Sequence, residues 1–175
     1  MKEDRVEFYI KGRERMPKPY HLKAVGLPNI YLLNGVSFEK DEEYGETVRI
    51  DNLKGLHRAI GLCIIEKPSL MTGKEFRFLR KQIGLTQEDL GKKLSISAQT
   101  IANYEKQVTS NIGPADAFLR FAYLLHILPE DARTKLIKKM MDDLGTHRNR
   151  SRLPDGPRHS LVQGWQDHAF SACAA

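Results

Sequence analysis

Between Met71 and Ile101 one local signal occurs three times. Met71-Thr72 is followed by Glu75 and Phe76, Leu85-Thr86 by Asp89 and Leu90, and Ile96-Ser97 by Thr100 and Ile101. In each case an apolar residue precedes a hydroxyl residue, and a second apolar residue stands four positions after the hydroxyl. The hydroxyl oxygen can accept from a backbone N–H that has no partner within the helix, and the two apolar side chains clamp across the first turn. The first instance is a full capping box with Glu at the third helical position, and the second is its Asp variant. The pattern predicts three helices, over about 73–83, 87–94 and 98–106. Only Ser95-Ile96-Ser97 separates the last two. So short a link forces an angled, compact helix pair, the helix-turn-helix geometry.

Leu90, Leu94, Ile96 and Ile101 supply the core of that pair. Gly91 faces the crossing helix, where a larger side chain would push the two apart. Outward on the third helix stand Ala98, Gln99, Asn103 and Lys106. Gln99, Asn103 and Lys106 follow i, i+4, i+7 and so share one face. Gln and Asn can bond bidentately to the adenine N6/N7 edge, and a small Ala can touch a thymine methyl.

The helical pattern continues over 113–144. Pro114 suits a first helical turn, and Phe118, Phe121, Ala122 and Leu125 form an apolar stripe. Pro129 begins another helix with Leu136, Ile137, Met140 and Leu144 on its apolar side, and Gly145 is a fitting stop. Beyond Thr146 the pattern dissolves among Pro154, Gly156, Pro157 and Gly164, so residues 146–175 are expected to be a disordered tail. At the other end, residues 1–19 are expected to form a flexible arm, with one short apolar patch at Phe8-Tyr9-Ile10. Residues 20–66 read as a small β-rich module. Asn34-Gly35 between Ile30–Leu33 and Val36–Phe38 signals a hairpin, because a type I′ turn needs two positive φ angles. Tyr44-Gly45 marks a second turn before Thr47–Ile50. Asp51 is the expected N-cap of a helix carrying Leu53, Leu56, Ile60 and Ile64 that covers the sheet. Glu66-Lys67-Pro68-Ser69 reads as the linker to a helix-turn-helix domain over 70–145.

Composition narrows the function classes. The 175 residues contain no apolar run of 18, which argues against a membrane span, and the mixed-charge N-terminus is not a secretory signal. Cys63 and Cys173 cannot form a disulfide framework or a four-cysteine zinc site, and a reducing cytoplasm fits. Six scattered histidines include no His-Glu-x-x-His, so neither a metal nor another cofactor is expected. No nucleophile, base and orienting group come together in any motif, so no enzyme is expected. Net charge is +6, and residues 72–107 hold seven Lys/Arg against four Asp/Glu. Lys74, Arg77, Arg80, Lys81, Lys92, Lys93 and Lys106 place that excess where a polyanion would lie.

The run GLTQEDLGKKLSISAQTIANYEK over residues 84–106 resembles the helix-turn-helix of the XRE (lambda/434 repressor-like) family. The resemblance covers roughly residues 72–128 and implies a five-helix domain that binds double-stranded DNA as a dimer, with the third helix in the major groove. It implies that Gln87 holds the backbone, that Ala98, Gln99 and Asn103 face bases, and that Thr100 and Lys106 lie near phosphates. At the turn, where the family often has Gly, this chain has Ser95. The N-terminal module is similar to the MqsA-like antitoxin/regulator group, in a branch without its zinc-binding cysteine pairs. The expected fold is therefore α+β and mostly α, with a small N-terminal hairpin/helix module. The expected function is a cytoplasmic, homodimeric, sequence-specific transcriptional regulator. The alternative is an antitoxin that binds a toxin protein through the N-terminal module and regulates its own synthesis through the helix-turn-helix.

Overall fold

The computed structural model describes residues 5–41, 45–107, 112–145 and 165–167. Among the described residues, six α-helices and two small sheets make a mixed α+β, mostly helical fold. The strands are β1 (Val6–Ile10), β2 (Tyr20–His21), β3 (Ile30–Leu32), β4 (Val36–Asp41), β5 (Gly45–Ile50) and β6 (Trp165–Asp167). The helices are α1 (Leu53–Glu66), α2 (Gly73–Ile83), α3 (Gln87–Leu94), α4 (Ala98–Glu105), α5 (Gly113–Ile127) and α6 (Glu130–Gly145). The first sheet has the order β2-β3-β1-β6, and β4 and β5 form a separate two-stranded sheet.

The first sheet departs from the sequence expectation. Val6–Ile10, placed in a flexible arm, is an inner strand that runs parallel to β3, with Phe8 opposite Leu32. Phe8, Ile30 and Leu32 are buried on its inner face. The apolar patch is too short to stand out by composition, yet burial on one face is enough to hold it. With β1 on one side of β3 and β2 on the other, β3 cannot pair with β4, so the hairpin expected at Asn34-Gly35 does not form. Asn34 is buried. Its amide oxygen accepts from Ile10 N at 2.7 Å, and its amide nitrogen donates to the carbonyls of Ile10 and Arg13, each at 3.1 Å. The side chain thus completes the end of β1, and Gly35, at φ +71°, turns the chain out toward β4. The hairpin lies instead between β4 and β5, where the second turn was expected, with Val36 opposite Ile50. Of the tail beyond Thr146, β6 pairs antiparallel with β1 and lies against α1; the rest falls outside the described residues.

The cap of α1 is Asn52 rather than Asp51. Asn52 takes a left-handed conformation (φ 48°), and its side-chain oxygen accepts from Gly55 N at 3.1 Å, while Asp51 pairs with Arg13. One core runs from Phe8, Leu22 and Leu32 through Leu56, Ile60 and Ile64 to Phe76, Leu79, Leu90, Ile101 and Leu119. It is continuous across the expected linker, where Arg120 of α5 gathers the chain. Its guanidinium donates to the carbonyls of Ile64, Ile65, Lys67 and Ser69 and to Asp116, whose other oxygen accepts from Met71 N at 2.7 Å. The last carbonyls of a helix have no partner inside it, and this cation supplies one.

The α5 stripe also differs. Ala115, Asp116, Leu119 and Tyr123 are buried, whereas Phe118, Phe121, Ala122 and Leu125 are only half-buried. Asp116 and Tyr123 face inward because each has a polar partner there: Arg120 and Met71 N for the first, the Arg58 carbonyl for the second. A Cβ added at Gly61 of α1 would lie 2.0 Å from the Tyr123 hydroxyl, so that glycine sets how closely α1 and α5 approach. On α6, Leu136 is half-buried and Ile137, Met140 and Met141 are exposed.

Candidate nucleic-acid interface

All three predicted helix starts carry their caps. Thr72 Oγ1 accepts from Glu75 N at 3.3 Å and Glu75 accepts from Thr72 N at 2.6 Å. Thr86 Oγ1 accepts from Asp89 N at 3.0 Å, and Asp89 Oδ2 accepts from the Thr86 hydroxyl at 2.6 Å and from Thr86 N at 3.1 Å. The hydroxyl bond from Thr86, ahead of its backbone N–H, holds the Asp89 carboxyl below its ordinary pKa. Ser97 Oγ accepts from Thr100 N at 3.0 Å. The helices begin where these caps dictate, and α4 ends at Glu105, one residue short of the expected bound.

Ser95 closes α3 in the left-handed region, at φ 56° and ψ 38°, with its N–H bonded to the end of the helix. This is the conformation for which a glycine would be the unstrained choice. Gly91 packs on the turn itself: an added Cβ would stand 2.7 Å from the Ile96 carbonyl oxygen and 3.3 Å from Ala98 N. With Leu90 and Ile101 fully buried between them, α3 and α4 are fixed against each other.

That packing decides which face of α4 is presented. Ala98, Gln99 and Lys106 are exposed and Thr100 and Asn103 half-exposed. The Gln99 amide donates to Asn103 Oδ1 at 3.0 Å, so the two form one unit across a helical turn. Thr100 Oγ1 lies 2.9 Å from Ser97 Oγ at the cap. Gln87, at the start of α3, is half-buried and donates to Glu105 Oε2 at 2.9 Å. The structure thus gathers Gln87 with the end of α4, and Gln99 with Asn103.

Two residues of this region escape the sequence reading. Arg80, counted there among the cations available to a polyanion, is buried: its Nε bonds Glu105 Oε1 at 2.6 Å and its Nη1 bonds the Leu85 carbonyl at 2.6 Å. Glu105 takes bonds from both Arg80 and Gln87, and Arg77 lies 4.0 Å away. One signal was available. Arg80 falls on the stripe Phe76, Leu79, Arg80, Ile83, and a charge on the buried side of a helix needs a partner. Lys74, Arg77, Lys81, Lys92, Lys93 and Lys106 remain at the surface. Among the described residues no three His, Cys, Asp or Glu side chains gather as metal ligands, and no helix is long and apolar enough to cross a membrane. His147, His159, His168 and Cys173 lie outside the described residues.

Residues 76–119, from Phe76 of α2 to Leu119 of α5, match a family model described as helix-turn-helix, of the XRE type. The match supports a DNA-binding regulator of that type, with double-stranded DNA as its partner. It does not reach the N-terminal module. No curated protein and no solved structure matches the chain.

Proposed function

We propose that this protein is a sequence-specific transcriptional regulator that lays α4 in the major groove and performs no catalysis. The observation that carries the reading is the division of α4 into two faces. Ile101 is locked into the core while Ala98, Gln99, Asn103 and Lys106 look outward from a helix held at both ends. The Gln99–Asn103 hydrogen bond leaves Gln99 Oε1 as an acceptor and the Asn103 amide as a donor. Adenine presents the complementary pair in the major groove, an N6 amino donor beside the N7 acceptor. Gln87, Thr100 and Lys106 serve phosphates in this reading, and residues 72–128 follow the lambda-repressor-like arrangement.

One recognition helix spans only a few base pairs, so the protein acts as a cytoplasmic homodimer with two α4 helices about 34 Å apart, one turn of the duplex. The exposed Ile137 and Met140 of α6, with half-buried Phe118, Phe121 and Leu136, supply apolar surface for that contact. Selection from random duplexes tests the reading. The expected product is an inverted repeat with half-sites centred about 10 base pairs apart or a multiple of that. Enrichment of a single asymmetric half-site would rule out the dimer, and no enrichment at all would rule out sequence-specific binding.

A further inference from the structure

Three helices whose residues lie far apart in the chain line an open cavity of about 230 Å³, formed by Lys54 and Arg58 of α1, Gln82 of α2, and Tyr123, His126 and Ile127 of α5. Lys54 and Arg58 are one turn apart on α1, and Tyr123, His126 and Ile127 share the last turn of α5. The lining holds two permanent cations, an imidazole, an amide and a phenol, and no carboxylate. None of the six residues assigned to DNA contact lines it.

The donors in the cavity are more numerous than the acceptors. One Arg58 nitrogen donates to the Ile127 carbonyl and fixes the guanidinium, while its buried Nε has no hydrogen-bond partner. Gln82 is held by its amide against His57 Nδ1 at 3.4 Å. Burial keeps His57 toward its neutral form, in which that nitrogen can accept. Lys54 and His126 are exposed, so an ion can enter from solvent. Two like charges on one wall repel each other until an anion sits between them.

We propose that this cavity binds the phosphate group of a small phosphorylated molecule, through Lys54, Arg58 and His126 with the Gln82 amide as a neutral donor. Donors from three directions suit a tetrahedral group with three or four acceptor oxygens better than a planar carboxylate with two. The volume falls below the roughly 300–1,000 Å³ of pockets that enclose a whole ligand, so the rest of the molecule lies outside the cavity. The site joins α1 of the N-terminal module to α2, where the helix-turn-helix begins, and its occupancy therefore bears on how the two halves are held.

The test titrates inorganic phosphate and pyrophosphate into the full chain, with sodium chloride at matched ionic strength as control. Amide NMR shifts and melting temperature are the readouts. Phosphate is expected to give saturable shifts at the lining residues and a higher melting temperature, and chloride is expected to give neither. Lys54→Met and His126→Ala, both at exposed positions, are each expected to weaken phosphate binding about tenfold while keeping the parent spectrum. Phosphate acting like chloride, or both variants titrating like the parent, overturns the proposal. Duplex titrations then identify the source of the phosphate. For a small ligand, phosphate alters the duplex affinity of the parent and not of Lys54→Met. If instead Lys54→Met lowers the salt slope of DNA binding by about 1 in phosphate-free buffer, a DNA phosphate fills the cavity and the small-molecule assignment falls. A chain that binds phosphate but no duplex leaves this site standing and overturns only the DNA-binding reading.

Discussion

Arg80 of α2 and Glu105 at the end of α4 meet at 2.6 Å with side chains only 9% and 5% exposed. The bond crosses from the helix that opens the helix-turn-helix to the end of the helix that faces outward, and Gln87 joins it from α3. Three helices thus share one buried carboxylate, and the pose of α4 depends on a contact that touches no ligand.

Removing one partner strands the other charge inside the fold. Glu105→Ala and Arg80→Ala are therefore each expected to cost about 3–5 kcal/mol in denaturant unfolding. Replacing both by apolar residues of similar volume is expected to cost clearly less than the sum of the two. Additive losses would show that the pair is not coupled.

At the turn, Ser95→Gly relieves a left-handed backbone and is expected to stabilise the protein by about 0.5–1 kcal/mol, after the greater unfolded-chain freedom of glycine is subtracted. Gly91→Ala drives a Cβ against the Ile96 carbonyl and is expected to destabilise by about 1–3 kcal/mol. Thermal melts of the two variants should move in opposite directions.

Asn34 is expected to be the most sensitive polar position of the sheet. Asn34→Ala removes the side-chain partner of the part-buried Ile10 N–H and of the Arg13 carbonyl, while the Ile10 carbonyl keeps Arg13 N, at a cost of about 1–3 kcal/mol. Asn34→Asp can still accept from Ile10 N but cannot donate to the two carbonyls, so it is expected to rescue little. Hydrogen exchange at Ile10 N reads the effect locally.

The Thr86–Asp89 box gives a pH signature. The folded pKa of Asp89 lies below its ordinary 3.8, so the folded state favours the carboxylate. Its contribution is therefore complete above pH 3.8 and is lost as pH falls from there through the folded pKa. The stability difference between the parent and Asp89→Asn should hold constant at neutral pH and shrink on acidification below 3.8. A difference unchanged down to the acid limit would show that the carboxylate form contributes nothing.

On DNA, Gln99→Ala and Asn103→Ala are expected to relax base preference by about 1–3 kcal/mol at the contacted pair. Either substitution breaks the hydrogen-bonded unit, so the double variant should lose little more than each single one. Lys106→Ala should weaken binding to every duplex alike and reduce the salt slope by about 1. Affinity that stays flat between about 50 and 200 mM salt would contradict phosphate contact altogether.

The starts of α2, α3 and α4 were legible in the sequence, because each cap is a bond between residues three apart and needs nothing from the rest of the fold. The outward face of α4 follows from helical period once Ile101 is taken as core, whereas at Ser95 only the glycine common in the resembled family pointed to a left-handed backbone, which the fold then shows. Tertiary structure decided the remainder. β1 pairs with β3 across an intervening stretch that includes β2, and no local rule says that Phe8 will find Leu32 before the Asn34-Gly35 signal folds a hairpin. Asp116 and Tyr123 turn inward on α5 because Arg120, Met71 and Arg58 wait there, whereas apolar counting selects Phe118 and Phe121. The Arg80–Glu105 bond and the cavity beside Arg58 likewise depend on side chains from separate helices. Capping and periodicity are settled within a turn or two of the chain, but partners for strands and buried charges are chosen only when distant segments compete for the same place.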